Sequence, residues 1–183
     1  MRASRNKTRY LILGLLNEGP LSGYDIKKIV DWRFSYFWSE SYGQIYPELA
    51  RLEAEGLIET CKADEESRKD KKRYQIKNEG LAELKKWLAA PAEKEVVRIE
   101  LLLKLYFSNL AAPEVMADQV KEFEISHKRQ LELFKQFERQ LAETKRQGDN
   151  HDEILMVLSF GQKVMASYVE WSREVIKKLG EKR

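Results

Sequence analysis

Residues 41–61 read Ser41-Tyr42-Gly43-Gln44-Ile45-Tyr46-Pro47-Glu48-Leu49-Ala50-Arg51-Leu52-Glu53-Ala54-Glu55-Gly56-Leu57-Ile58-Glu59-Thr60-Cys61. Ile45, Leu49 and Leu52 fall at helical spacing on one face, and Gly56 stands where helices end on a left-handed residue. Leu57 to Cys61 then reads as a short, half-buried strand. Pro47 has no N–H and crowds the preceding turn, so this helix either starts later than Ser41 or bends in its first turns.

On the N-terminal side, Thr8 is positioned to cap a helix with Leu11, Ile12, Leu15 and Leu16 on its apolar side, stopped by Gly19-Pro20. Ser22 precedes a second short helix carrying Tyr24, Ile26, Ile29 and Val30. The aromatic stretch Trp32 to Trp38 has no clean period and reads as a bridge. On the C-terminal side, Arg73 to Ile76 alternates polar and apolar after a charge-rich stretch, which predicts two strands joined by a long hairpin loop. Asn78 is positioned to cap Glu79 to Ala89, with Leu81, Leu84, Trp87 and Leu88 as its stripe, and Ala90-Pro91-Ala92 marks a boundary. Helix, helix, helix, strand, charged loop, strand, helix is the order of a winged helix-turn-helix with a two-stranded wing.

Beyond the boundary the chain turns to helices. Val97 to Leu110 carries Ile99, Leu102, Leu103 and Phe107, and Pro113 restarts a helix in the favoured first-turn position. Up to about Gln147, Met116, Val120, Phe123, His127, Phe134, Phe137 and Leu141 trace a seam. After Gly148-Asp149-Asn150, a last helix carries Ile154, Leu158, Gly161, Met165, Tyr168, Val175 and Leu179. The fold class predicted is therefore mainly α: a winged helix-turn-helix over residues 1–90 and a helical dimerisation domain over residues 91–183. Dimerisation is expected because Phe123, Phe134, Phe137, Met165 and Trp171 are too bulky to leave exposed on one hairpin.

The chain has 183 residues, 34% charged and 43% hydrophobic, within the range of folded globular proteins. No apolar run approaches the roughly 20 residues that span a bilayer, and the short stretch after Arg9 lacks the cleavage site of a secretory signal. A lone cysteine, Cys61, and two histidines, His127 and His151, provide no metal-ligand motif. These features predict a cytoplasmic protein without metal or cofactor. The net charge is only +3, but its distribution is uneven. Residues 1–90 hold 17 Lys and Arg against 14 Asp and Glu, and the remainder balances at 16 against 16. The excess lies where a phosphate-binding surface would need it.

In a winged helix the third helix enters the DNA major groove. Tyr42, Gln44, Tyr46 and Arg51 would point outward there. Gln44 is the residue suited to read a base, because an amide pairs bidentately with an adenine edge, whereas tyrosine hydroxyls meet phosphates. The loop between the strands gathers Arg68, Lys69, Lys71, Lys72 and Arg73 on its return side, suited to a backbone or minor groove. Each of these also has a plain reading, as a solvated helix or loop residue.

Ser22-Gly23-Tyr24-Asp25-Ile26, Gly43 to Leu49, Arg51-Leu52-Glu53, Gly56-Leu57-Ile58, Tyr74 and Gly80 together resemble the PadR (phenolic acid decarboxylase regulator) family over roughly residues 8–90. The remainder is similar to the virulence-activator-type C-terminal domain of one branch. This resemblance implies a homodimeric repressor on an inverted-repeat DNA operator, released by a small aromatic acid, with Tyr24 joining the DNA-contact residues. Trp38, Trp87, Tyr106 and Trp171 are the candidates to stack on such an effector, most of the other aromatics being expected in the core. There is no glycine-rich phosphate loop, nucleophile elbow or histidine pair to suggest an enzyme. The remaining alternative is a winged-helix protein-interaction module without DNA binding, against which the basic loop argues.

Overall fold

Helix α1 (Thr8–Glu18) is the centre of the N-terminal core: Ile12, Leu13, Leu15 and Leu16 are all buried. The computed structural model describes residues 7–61, 72–143 and 150–181, in two compact units, residues 1–94 and 95–183. Strand β1 (Leu21–Ser22) leads into helix α2 (Gly23–Ile29), and a π-helical turn over Val30–Phe34 extends it. Helix α3 (Tyr42–Ala54), strands β2 (Ile58–Cys61) and β3 (Arg73–Ile76), and helix α4 (Asn78–Leu88) complete the unit. Ile26, Val30, Ile45, Leu49, Leu52, Ile58, Tyr74 and Leu84 close the core around α1.

The junction between α3 and β2 is a Schellman turn. Gly56 has φ 71°, its N–H donates to the Glu53 carbonyl at 3.0 Å, and the Leu57 N–H donates to the Leu52 carbonyl at 3.0 Å. Both carbonyls would otherwise be orphans of the helix end, and the left-handed turn satisfies them while turning the chain into the sheet.

Three expectations for this unit change, and the open question of where α3 starts is answered. The sheet has three strands in the order β1-β3-β2, all antiparallel, with Leu21 opposite Tyr74 and Ile58 opposite Ile76. A two-residue strand is too short to leave an alternating pattern and exists only through its pairing with β3. Thr8 is not a cap: Lys7 precedes the helix, and the Thr8 hydroxyl donates to Glu40 Oε1 at 2.9 Å. Lys77, not Asn78, precedes α4. Helix α3 starts directly after Ser41 and contains Pro47, whose missing N–H leaves the Gly43 carbonyl without its helical donor.

In the second unit, helix α5 (Glu100–Tyr106) packs Leu101 and Leu105 on Met116, Val120 and Leu179, while Leu102, Leu103 and Phe107, expected inward, are exposed. The long helices α6 (Pro113–Glu143) and α7 (His151–Gly180) run antiparallel: Glu124 pairs with Arg173, Phe123 meets Tyr168 and Trp171, and Glu138 accepts from Gln162. Phe134, Leu158, Met165 and Val169 are buried within this hairpin, and Ser172, fully buried, donates to the Tyr168 carbonyl. No described helix is long and apolar enough to cross a membrane.

Candidate nucleic-acid interface

Two serine-headed helix starts build the surface. At α2, Ser22 accepts from the Asp25 N–H at 3.2 Å, while Asp25 Oδ2 accepts from the Ser22 N–H at 3.1 Å. At α3, Gln44 folds back on Ser41: its Oε1 accepts from the Ser41 N–H and the Ser41 hydroxyl, each at 2.8 Å. Both are capping boxes, which satisfy donors that a helix start leaves unpaired and so fix where the helix begins. The Ser41-x-x-Gln44 spacing carried this signal in the sequence.

Tyr24, Tyr42 and Tyr46 all reach solvent. Tyr42 and Tyr46, one helical turn apart, stack with ring centroids 6.0 Å apart. Tyr46 also lies over Gly23, where an added Cβ would come 2.7 Å from Cε1 of the ring, so the absence of a side chain there lets α2 and α3 approach. Two cations absent from the sequence reading complete the patch. Lys28 Nζ sits 5.1 Å from the Tyr24 ring centroid and Lys27 Nζ 5.8 Å from that of Tyr42. The four-residue step from Tyr24 to Lys28, which stacks side chains on a helix face, was the available sign. Lys27 also pairs with Asp31.

Arg51 is exposed, in keeping with the outward-facing expectation, and is also tied to its own helix. Its Nη1 lies 2.6 Å from Oε2 of Glu48, a carboxylate only 1% exposed, so the arginine serves a buried charge as well as the surface. At the base of the wing, Lys72 Nζ meets Glu53 Oε2 at 2.7 Å and the Tyr74 ring at 5.1 Å. The hydrogen bond to Glu53 is the main cause holding the Lys72 pKa above its ordinary value. Arg73 stands in β3 opposite Ser22 and Cys61. Arg68, Lys69 and Lys71 lie outside the described residues.

The aromatic residues are less buried than expected. Trp32, Phe37, Trp87 and Tyr106 are exposed, and Phe34, Tyr36, Trp38, Tyr168 and Trp171 only partly covered. Apart from Tyr74, the buried core of the first unit is instead aliphatic, because α1 and α3 approach through leucine and isoleucine. The four effector candidates have separate neighbours within their units. Trp38 donates through Nε1 to the buried Glu40 at 2.8 Å, and Trp87 stacks on Tyr10 at 4.7 Å. Tyr106 meets Phe107, and Trp171 meets Phe123 edge-on. A groove of about 420 Å³ in the second unit is lined by Glu100, Leu101, Lys104, Gln119, Glu122 and Phe123, none of them among the four.

Comparison with known proteins agrees with this architecture. Residues 12–86 match the transcriptional regulator PadR-like family, and residues 97–180 match the virulence activator α C-terminal domain. The negative transcriptional regulator PadR of Bacillus subtilis is 37% identical over 115 residues, 62% of this chain and 63% of that protein, slightly under two thirds of its length. Among solved structures, Bacillus subtilis PadR in complex with operator DNA is 29% identical and superposes with a TM-score of 0.82, covering 98% of each chain. The same regulator in complex with p-coumaric acid is 27% identical, with a TM-score of 0.74 over 97% of this chain and 98% of the other. With both of its parts matched in order, this chain carries a PadR-like transcriptional regulator domain, a winged helix, joined to a virulence activator α C-terminal domain.

Proposed function

We propose that this chain acts as a homodimer that represses transcription from an inverted-repeat operator and leaves it when a small aromatic acid binds. The observation that carries the reading is the outward tyrosine-and-lysine patch around the start of α3. Tyr42, stacked with Tyr46, stands beside Lys27, and Tyr24 beside Lys28, so hydroxyl donors and cations gather where phosphates of a groove wall would pass. Lys72, Arg73 and the wing residues Arg68, Lys69 and Lys71 would extend that contact along the backbone. A single recognition helix touches too few base pairs to stand out among genomic competitors, which favours a two-fold pair with half-sites about 34 Å apart.

The support for the C-terminal unit as the dimer contact is its outer surface. Met156, Val157 and Phe160 of α7, and Ile125 and Leu133 of α6, are exposed although large and apolar. The residues first expected to need a partner do not carry this argument, since Phe134 and Met165 are buried by their own hairpin. The effector proposal rests on the relative described with p-coumaric acid, with Trp38, Trp87, Tyr106 and Trp171 as the candidate stacking residues.

The test is selection of bound genomic fragments by the full-length protein, followed by salt titration on the recovered operator. An inverted repeat is expected, with affinity falling by about 0.9 in log–log slope per phosphate contact. Addition of p-coumaric acid is expected to lower that affinity, and calorimetry with no heat of binding would remove this acid as effector. Fragments without symmetry, bound with no salt dependence, would overturn the operator reading.

A further inference from the structure

We infer that Gln44 reads its base pair as a hydrogen-bond donor only, selecting guanine and rejecting cytosine, rather than pairing bidentately with adenine. The inference rests on the DNA-binding reading of α3. A carboxamide oxygen has two lone pairs, and both are engaged here, one by the Ser41 N–H at 2.8 Å and one by the Ser41 hydroxyl at 2.8 Å. Bidentate recognition of adenine needs that oxygen to accept from the exocyclic amine while the amide nitrogen donates to N7. With the oxygen committed to the helix cap, only the second contact remains. The side chain is exposed, and among the described residues the Nε2 amine has no protein partner.

An amine without its acceptor ranks the bases differently. Guanine offers two adjacent acceptors in the major groove, O6 and N7, within reach of the two N–H groups on one nitrogen. Adenine and thymine each offer one. Cytosine presents only its own amine, so donor would face donor. The capping box thus does two things: it sets the start of α3, and it fixes which half of the amide looks outward. Ser41 becomes a positioning residue for specificity, acting through the orientation of Gln44.

The experiment uses full-length protein and the operator recovered by selection, with every base pair of one half-site replaced in turn by the other three. The pair whose discrimination disappears in Gln44→Ala is the pair read by this residue. Wild-type protein should prefer guanine there over cytosine by roughly ten-fold. Gln44→Glu keeps an acceptor for the cap but exchanges the donor for a second acceptor, so it should retain the wild-type melting temperature and switch preference toward cytosine. Ser41→Ala removes one of the two contacts on Oε1 and should raise the relative affinity for adenine. An adenine preference in the wild type at that pair, or a guanine preference surviving in Gln44→Glu, overturns the inference. So does specific binding in which no pair responds to Gln44. Failure of the wild type to bind any duplex would instead overturn the DNA-binding reading beneath it.

Discussion

Lys72 Nζ lies 2.7 Å from Oε2 of Glu53, joining the start of β3 to the last turn of α3. The pair is partly exposed and open to solvent on the Lys72 side, so its contribution to stability is small. Its consequence lies in binding, because a phosphate and Glu53 would compete for one ammonium group. Glu53→Gln should therefore tighten binding to all duplexes, and Lys72→Ala should weaken it and lower the log–log salt slope by about 0.9. Fluorescence anisotropy across a salt series separates the two; equal behaviour of both variants would remove Lys72 from the interface.

Gly23→Ala should affect DNA affinity more than folding. The new Cβ would stand 2.7 Å from Tyr46 Cε1 and 3.1 Å from Leu49 Cδ1. Tyr46 is half exposed and can swing away, whereas Leu49 is fixed in the core, so the stability cost should be about 1 kcal/mol. The displaced tyrosine would leave the patch it shares with Tyr42. Urea unfolding and operator titration on the same variant test this; undiminished affinity would show that Tyr46 contributes nothing to contact.

A charge on the outer face of the hairpin should separate the protomers. Phe160 is 63% exposed and Met156, one turn earlier, 65%. Replacing either with Glu disturbs little packing within the chain but would bury a carboxylate in a two-fold interface, twice over. Sedimentation should give a monomer for Phe160→Glu with an unchanged melting profile of its helices, and operator affinity should fall with it. A dimer that persists moves the contact to another face, with the exposed side chains of α5 next in line.

Tyr36 should titrate late. Burial disfavours its phenolate and pushes its pKa from 10.0 up to about 12. The folded state then holds its proton where the unfolded chain releases it, so the contribution to stability is complete below pH 10 and is lost as pH rises from 10 toward 12. Absorbance titration of the phenolates should contain one late step that is absent from Tyr36→Phe, and this variant should lose less stability across that window than the wild type. A spectrum in which Tyr36→Phe removes an ordinary step near pH 10 would contradict the burial.

The sequence alone determined the order of the four helices and the two wing strands in the N-terminal unit, because each of these leaves a short-range trace. Ile45, Leu49 and Leu52 repeat at helical spacing, Gly56 sits where only a left-handed turn satisfies the Leu52 and Glu53 carbonyls, and polar and apolar residues alternate from Arg73 to Ile76. The PadR resemblance was legible for the same reason, since its motifs are the local signals of those turns. Tertiary structure decided what depends on residues far apart in the chain. Strand β1 exists only opposite Arg73 and Tyr74, Thr8 leaves its capping role for Glu40, and Tyr46 rests on Gly23. Periodicity could mark Phe134 and Met165 as apolar seam residues, but not whether their own hairpin or a second chain covers them. Burial is a property of the assembled surfaces, unlike the direction of Gln44, whose oxygen is aimed at Ser41 by a spacing of three residues within one helix start.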